Sequence, residues 1–302
     1  MQLGMVGLGK MGANMTIRLL GGGHTVVVSD LNSAAVERLG TQGAVTTNAI
    51  AELKTKLDAP RAIWVMVPSG DPTEQTVKLL GDLLEPGDII IDGGNSNYKD
   101  SKRRAALLAA KGIHLVDVGT SGGIWGLEFG YSLMIGGEHD IVERLRPIFE
   151  TLAPAPDKGW GYVGPNGAGH FVKMIHNGIE YGLMQAYAEG FAIMNAKREL
   201  ELDVATIAKI WQHGSVVRSW LLDLTADALG QDATLADVAA YVPDSGEGRW
   251  TVVEAIDLNV SAPIITLSLD RRIRSRDTAP YADRLIAVMR NQFGGHMVKK
   301  VE

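Results

Sequence analysis

Between Gly169 and Gly182 the chain reads GHFVKMIHNGIEYG. The pattern is helical, and it gathers residues that can move protons. A helix turns about 100° per residue. With Lys173 at zero, His170 falls at about 60°, Asn177 at about 40°, Glu180 at about −20° and Tyr181 at about 80°. His176, at about −60°, flanks the same face. Phe171, Ile175, Gly178, Ile179 and Gly182 lie on the other side, where a second helix could pack. A solvent-facing stripe is normally richer in Lys and Glu than this one, so the polar face reads as the lining of a cleft. A lysine in a cleft can act as a base when desolvation or a neighbouring cation keeps it neutral. A glutamate two turns on can return a proton. The two histidines are six apart and do not suit one metal on one helix face. No metal is expected.

The second constellation is Gly7-Leu8-Gly9-Lys10-Met11-Gly12. It follows an apolar run, opens a helical pattern, and fits the turn that binds a dinucleotide pyrophosphate on a helix N-terminus. Asp30 ends the next strand, 18 residues after Gly12. A carboxylate there can accept hydrogen bonds from the adenosine ribose and would repel a 2′-phosphate. Leu31-Asn32-Ser33 supplies no arginine to offset it. The expected cofactor is NAD, with NADP less favoured. A third group, Arg271, Arg272, Arg274 and Arg276, crowds six residues. A helix points Arg272 and Arg276 one way and Arg274 nearly another. One guanidinium gripping a phosphate is a more economical reading than a nucleic-acid patch.

These groups need elements to hold them. Segments 2–8, 24–30, 61–67, 88–92 and 114–119 read as strands, with 131–135 and 160–163 as further candidates. Helical patterns at 11–20, 34–42, 73–83 and 100–111 alternate with them. VVV, IWVMV and DIIID are apolar on both faces, as central parallel strands are. After Gly164 only helices are expected, at roughly 167–198, 203–213, 219–229, 249–260, 262–275 and 278–293. The fold class is therefore an α/β Rossmann-like N-terminal domain, residues 1–165, followed by an all-α C-terminal domain, 166–302. Trp211, Trp220 and Trp250 read as core.

The chain has 302 residues and a net charge of −6, which does not favour a nucleic-acid partner. It has no cysteine, which excludes disulfides and thiolate catalysis. No apolar run is long enough to span a membrane, and the first residues read as a strand and turn rather than a signal peptide. A cytoplasmic location is expected.

IDGGNS (91–96), GTSGGIWGLEFGYSLMIGG (119–137), GAGHFVKMIHNGIEYG (167–182), GEGRWT (246–251), RIRSR (272–276) and RNQFGGH (290–296) occur in that order. With GLGKMG they resemble the 6-phosphogluconate dehydrogenases, decarboxylating oxidoreductases of the pentose phosphate pathway. The short length resembles the family's small form, which lacks the duplicated half of the helical domain. The resemblance implies that Lys173 is the general base, Glu180 the general acid, and Asn177 and His176 orient the substrate. It implies that Asn95 lies between substrate and nicotinamide, and that Ser121, Gly122 and Gly123 hold the carboxylate end. It assigns the phosphate to Tyr181, Arg249, Thr251, Arg272 and Arg290. His296 and Arg290 match residues that come from the partner subunit, which implies a homodimer or a dimer of dimers with a shared site. Val67 and Pro68, after the fourth strand, join the cofactor contacts.

The departures are informative. NADP-using members carry Asn-Arg-Thr where this chain has Asp30-Leu31-Asn32, and a Lys where it has Pro68. Arg249 replaces a Lys, and GGH replaces GAH. Two other readings compete. A dehydrogenase of small β-hydroxyacids would share the glycine turn and the lysine but would not need several phosphate-gripping cations. A non-catalytic nucleotide sensor would not need Lys173, Asn177 and Glu180 together.

Overall fold

The structure is a computed structural model that describes residues 1–300. In chain order its elements are β1 (Gln2–Val6), α1 (Lys10–Gly21), β2 (Thr25–Ser29), α2 (Ser33–Gly40), β3 (Val45–Thr46), α3 (Leu53–Lys56), β4 (Ala62–Val65), α4 (Asp71–Leu83), β5 (Ile89–Asp92), α5 (Tyr98–Ala109) and β6 (His114–Ser121). There follow α6 (Gly126–Phe129), β7 (Ser132–Gly136), α7 (His139–Arg144), α8 (Arg146–Leu152), β8 (Trp160–Gly164) and α9 (Ala168–Ala196). The rest is helical: α10 (Val204–Trp211), α11 (Trp220–Gln231), α12 (Glu247–Asp257), α13 (Pro263–Ser275) and α14 (Tyr281–Gly294).

The eight strands form one sheet in the order β3-β2-β1-β4-β5-β6-β7-β8. Every pairing is parallel except β6 with β7. Successive residues of a strand point to opposite faces. Accordingly Met5, Val28, Trp64 and Ile91 join one buried cluster, and Val6, Val27, Val65 and Ile90 join another. This two-sided burial is what the runs VVV, IWVMV and DIIID encode. The chain reverses direction across the sheet between β1 and β4, and the carboxyl ends of the strands there define a ligand crevice.

Two compact units emerge, Met1–Asn177 and Gly178–Glu302. The expected boundary near 165 corresponds to the start of α9, whose first turns pack on the sheet. A Cβ on Gly169 would run into the carbonyls of Asp117 and Met134. Asp117, wholly buried on β6, accepts the N–H of Gly167 at 2.7 Å and of His170 at 3.0 Å. It thereby satisfies helix donors that would otherwise lack partners. In the second unit Gly178 packs against Thr251 of α12 and Gly182 against Ile264 of α13. Small residues on that side of α9 thus admit other helices.

The structure adds β3, a two-residue edge strand too short to give a periodic signal. It also corrects the reading of the tryptophans. Trp220 is 48% exposed, while Trp211 is partly buried and meets Phe191 edge-on. Among the described residues no helix is long and apolar enough to cross a membrane.

Candidate active site

The glycine turn lies between β1 and α1, at the switch of strand order. Gly7 has φ +95°, and a Cβ there would strike the carbonyl of Met66. A Cβ on Gly12 would strike the carbonyl oxygen of Gly7. Gly9 has nothing within 4 Å of where its Cβ would be. Two glycines are thus demanded by the protein itself, and the third keeps a cradle open in front of the α1 N-terminus. That arrangement fits a dinucleotide pyrophosphate. Lys10 is exposed, Met11 half-buried and Leu8 buried beside it.

Asp30 does not cap α2; Asn32 does, accepting the Ala34 N–H at 3.1 Å. The Asp30 carboxylate instead accepts the N–H of Leu8 at 2.5 Å and of Asn32 at 2.7 Å. One carboxylate therefore pins the glycine turn to the end of β2. Each oxygen retains a further acceptor site for a ribose hydroxyl. Half-buried Val67 and exposed Pro68 follow β4, beside the turn.

Asn95 follows β5 in the left-handed region, φ +52°. Its side chain pairs with the backbone of Thr120, accepting the N–H at 2.9 Å and donating to the carbonyl at 3.2 Å. Its loop rests on a buried network. Asp92 accepts the Ser96 hydroxyl at 2.8 Å and an Arg104 N–H at 3.1 Å, and Arg104 Nε donates to Glu74 at 2.7 Å. Hydrogen bonds from Arg103, reinforced by Arg104 against some burial, hold the Glu74 carboxyl at about 2 against an ordinary 4.5. A carboxyl depressed in the folded state adds stability above its unfolded pKa and loses it as pH falls through the folded one. Glu74→Gln should therefore be less stable than the parent at neutral pH, and the gap should close between about pH 4.5 and 2. Urea midpoints across that range provide the check. A gap that stays constant would separate Glu74 from the acid limb.

Lys173 is 6% exposed on α9. Its Nζ donates to Asn177 Oδ1 at 2.7 Å and lies 3.4 Å from His176 Nδ1. His176 Nδ1 is 2.9 Å from the same Asn177 oxygen, and its Nε2 is 3.4 Å from Ser121 Oγ. The lysine lies this near β6 because Gly119 carries no side chain; a Cβ there would collide with Lys173. Ser121 ends β6, and Gly122 and Gly123 turn the chain with positive φ. The first unit thus brings Lys173, His176, Asn177 and Ser121 together. Glu180 lies half-buried further along α9. His170 departs from the expected stripe. It is 1% exposed, and its Nδ1 lies 2.7 Å from Ser101 Oγ of α5. The helical angle was sound, but the sheet-bound start of α9 turns that part of the face inward.

The second unit forms another cluster. Tyr181 is 4% exposed, with the Arg272 guanidinium 3.5 Å from its ring centroid. Gly248 approaches the ring so closely that a Cβ would collide. The Tyr181 hydroxyl accepts the Ser245 N–H at 3.2 Å. Thr251 is buried on α12, its hydroxyl bonded to the Glu247 carbonyl at 2.8 Å. Arg249 pairs with Asp244 at 3.2 Å. Arg290 is exposed on α14 and His296 beyond it. The sequence reading passed over Asp117 and Asp244, and it named Arg276 among the crowded arginines without giving it a role.

A sheet of this order with a glycine turn at its switch point is the architecture of a dinucleotide-binding domain, and here a helix carrying a buried lysine follows it. Residues 2–164 match the NAD binding domain of 6-phosphogluconate dehydrogenase, and residues 169–285 match the 6-phosphogluconate dehydrogenase C-terminal domain. The chain belongs to the 6-phosphogluconate dehydrogenase family. It is 42% identical to the NAD(+)-dependent, decarboxylating 6-phosphogluconate dehydrogenase of Haloferax volcanii, over 99% of both chains. It is 43% identical to YqeC of Bacillus subtilis, itself provisionally named a 6-phosphogluconate dehydrogenase, over 99% of this chain and 100% of that one. The solved Plasmodium falciparum 6-phosphogluconate dehydrogenase, described with its cofactor NADP+ and its substrate 6-phosphogluconate, superposes with a TM-score of 0.83 at 28% identity. That match covers 100% of this chain and 67% of the other. Its first domain is thus an NAD-binding domain, and relatives use both NAD and NADP.

Proposed function

We propose that the chain oxidises and decarboxylates 6-phosphogluconate to ribulose 5-phosphate and carbon dioxide, with NAD as the preferred acceptor. The observation that carries this reading is the buried Lys173 amine held by Asn177 beside His176 and Ser121. The glycine turn and Asp30 would hold the dinucleotide, which accepts a hydride when bound. Lys173, neutral, takes the proton of the C3 hydroxyl as that carbon is oxidised. The β-keto acid then loses its carboxylate as carbon dioxide, and the protonated Lys173 donates to the developing enolate oxygen. Glu180 returns a proton to carbon to give the ketone. Asn95, His176 and Asn177 orient the sugar acid, and Ser121, Gly122 and Gly123 take its carboxylate end. Tyr181, Arg249, Thr251 and Arg272 take the phosphate.

Arg290 and His296 complete the site from a second copy in a homodimer. Exposed apolar residues of the helical unit, Ile193, Ile210, Ile256 and Phe293 among them, support such an assembly.

The test follows nicotinamide absorbance with 6-phosphogluconate and either cofactor, together with carbon dioxide release. NAD should give the higher kcat/KM, because a carboxylate at Asp30 would repel a 2′-phosphate and Leu31-Asn32-Ser33 supplies no arginine to offset it. Asp30→Ala should narrow the ratio. Reduction without carbon dioxide would favour a plain hydroxyacid dehydrogenase. A higher kcat/KM with NADP would overturn the assignment to Asp30.

A further inference from the structure

The segment Val242-Pro243-Asp244-Ser245 is tied down residue by residue. The Val242 N–H donates to Ser275 Oγ at 3.0 Å, and the Pro243 carbonyl accepts Arg272 Nη1 at 3.0 Å. The Ser245 N–H reaches the Tyr181 hydroxyl at 3.2 Å. Between them Asp244, its side chain 6% exposed, accepts Arg249 Nη2 at 3.2 Å and Arg276 Nη2 at 2.9 Å on the same oxygen, Oδ2. Sharing one oxygen sets two guanidinium groups side by side. Left alone they would repel each other.

Each of these bonds takes one of the five N–H groups of its arginine. The side chains keep 49% and 29% of their exposure, so donors still face outward. Arg272 joins them through Pro243 while lying on Tyr181. Arg274 is turned elsewhere, to Asp283 at 2.9 Å. Buried Glu247 adjoins the loop as well, its carboxylate accepting the Ser245 hydroxyl. Arg249, Arg272 and Arg276 thus bring three guanidinium groups to this one loop. A phosphate monoester carries about −1.5 to −2 near neutrality and offers three acceptor oxygens.

We propose that Arg276 is a further phosphate-binding residue and that Asp244 is the positioning residue that pairs it with Arg249. The inference rests on the proposed reading of the Tyr181–Arg272 cluster and extends it. Asp244 touches no substrate. It sets two guanidinium groups at the spacing of a shared oxygen, which suits bidentate recognition of phosphate. The loop and the C-terminal end of α13 then act as one anion-binding unit.

The test compares Arg276→Gln, Asp244→Asn and Asp244→Glu with the parent enzyme. Arg276→Gln and Asp244→Asn should raise KM for 6-phosphogluconate by roughly tenfold or more, the usual loss for a charge-assisted hydrogen bond. kcat at saturation and KM for NAD should hold in both, and the melting temperature should hold in Arg276→Gln. Asp244→Glu should recover part of the loss. Calorimetric binding of inorganic phosphate needs no turnover and should weaken in parallel in Arg276→Gln. An unchanged KM and unchanged phosphate binding would overturn the inference. So would a joint fall of kcat, NAD affinity and melting temperature, the mark of a merely structural role. A parent that binds phosphate but does not turn over 6-phosphogluconate would overturn the proposed reaction instead.

Discussion

Lys173→Ala is expected to lower kcat for 6-phosphogluconate oxidation by roughly 10²- to 10⁴-fold, the usual scale for a general acid–base group. The amine is 6% exposed, close against β6, and bonded to Asn177 at 2.7 Å. Those partners fix where the nitrogen sits, so alanine removes a positioned group rather than a mobile one. NAD binding should survive, because the glycine turn and Asp30 do not depend on this side chain. Lys173→Arg separates charge from basicity. It keeps a cation on α9, but a guanidinium does not deprotonate in a protein, so it should be nearly as inactive as alanine. Kinetics with saturating NAD, beside a direct measure of NAD affinity, decide the matter. Turnover within a few fold of the parent in Lys173→Arg would remove proton abstraction from this residue.

Much of this was legible because the signals are local. GLGKMG announces a strand, a turn and a helix within a dozen residues, and Gly7 and Gly12 prove to be demanded by backbone sterics. The 3.6-residue period predicted α9 to α14 to within a few residues, since amphipathic faces repeat along one element. The failures share a physical cause. A helical angle says which residues share a face but not what packs on it, so His170 was read into the cleft and is buried on Ser101. Asp30 was read for the ribose alone, and its bond to Leu8, 22 residues back along the chain, has no local signal. Asp244 and Arg276 meet across 32 residues, and no local pattern encodes the pairing. β3 has two residues, and its pairing to β2 decides its conformation.

Asp117 gives the second large effect, and for a different reason. It is wholly buried on β6, and its two oxygens accept the Gly167 and His170 N–H groups at the start of α9. A carboxylate there complements the positive end of the helix. Asp117→Ala leaves two buried donors without partners, at about 1–3 kcal/mol each, and loses the packing of the side chain as well. At roughly 2–4 °C per kcal/mol for a domain of this size, the melting temperature should fall by about 4 °C or considerably more. Turnover should fall with it, because Lys173 lies one turn past His170 on the helix that Asp117 fixes. Asp117→Asn sharpens the argument. Its oxygen can accept one N–H, but its amide group would set a donor against the other, so the variant should be destabilised despite its equal size. Thermal unfolding of both variants, read beside kcat, makes the comparison. A melting temperature and kcat both unchanged in Asp117→Asn would mean that the start of α9 is held by its packing on the sheet and not by the carboxylate.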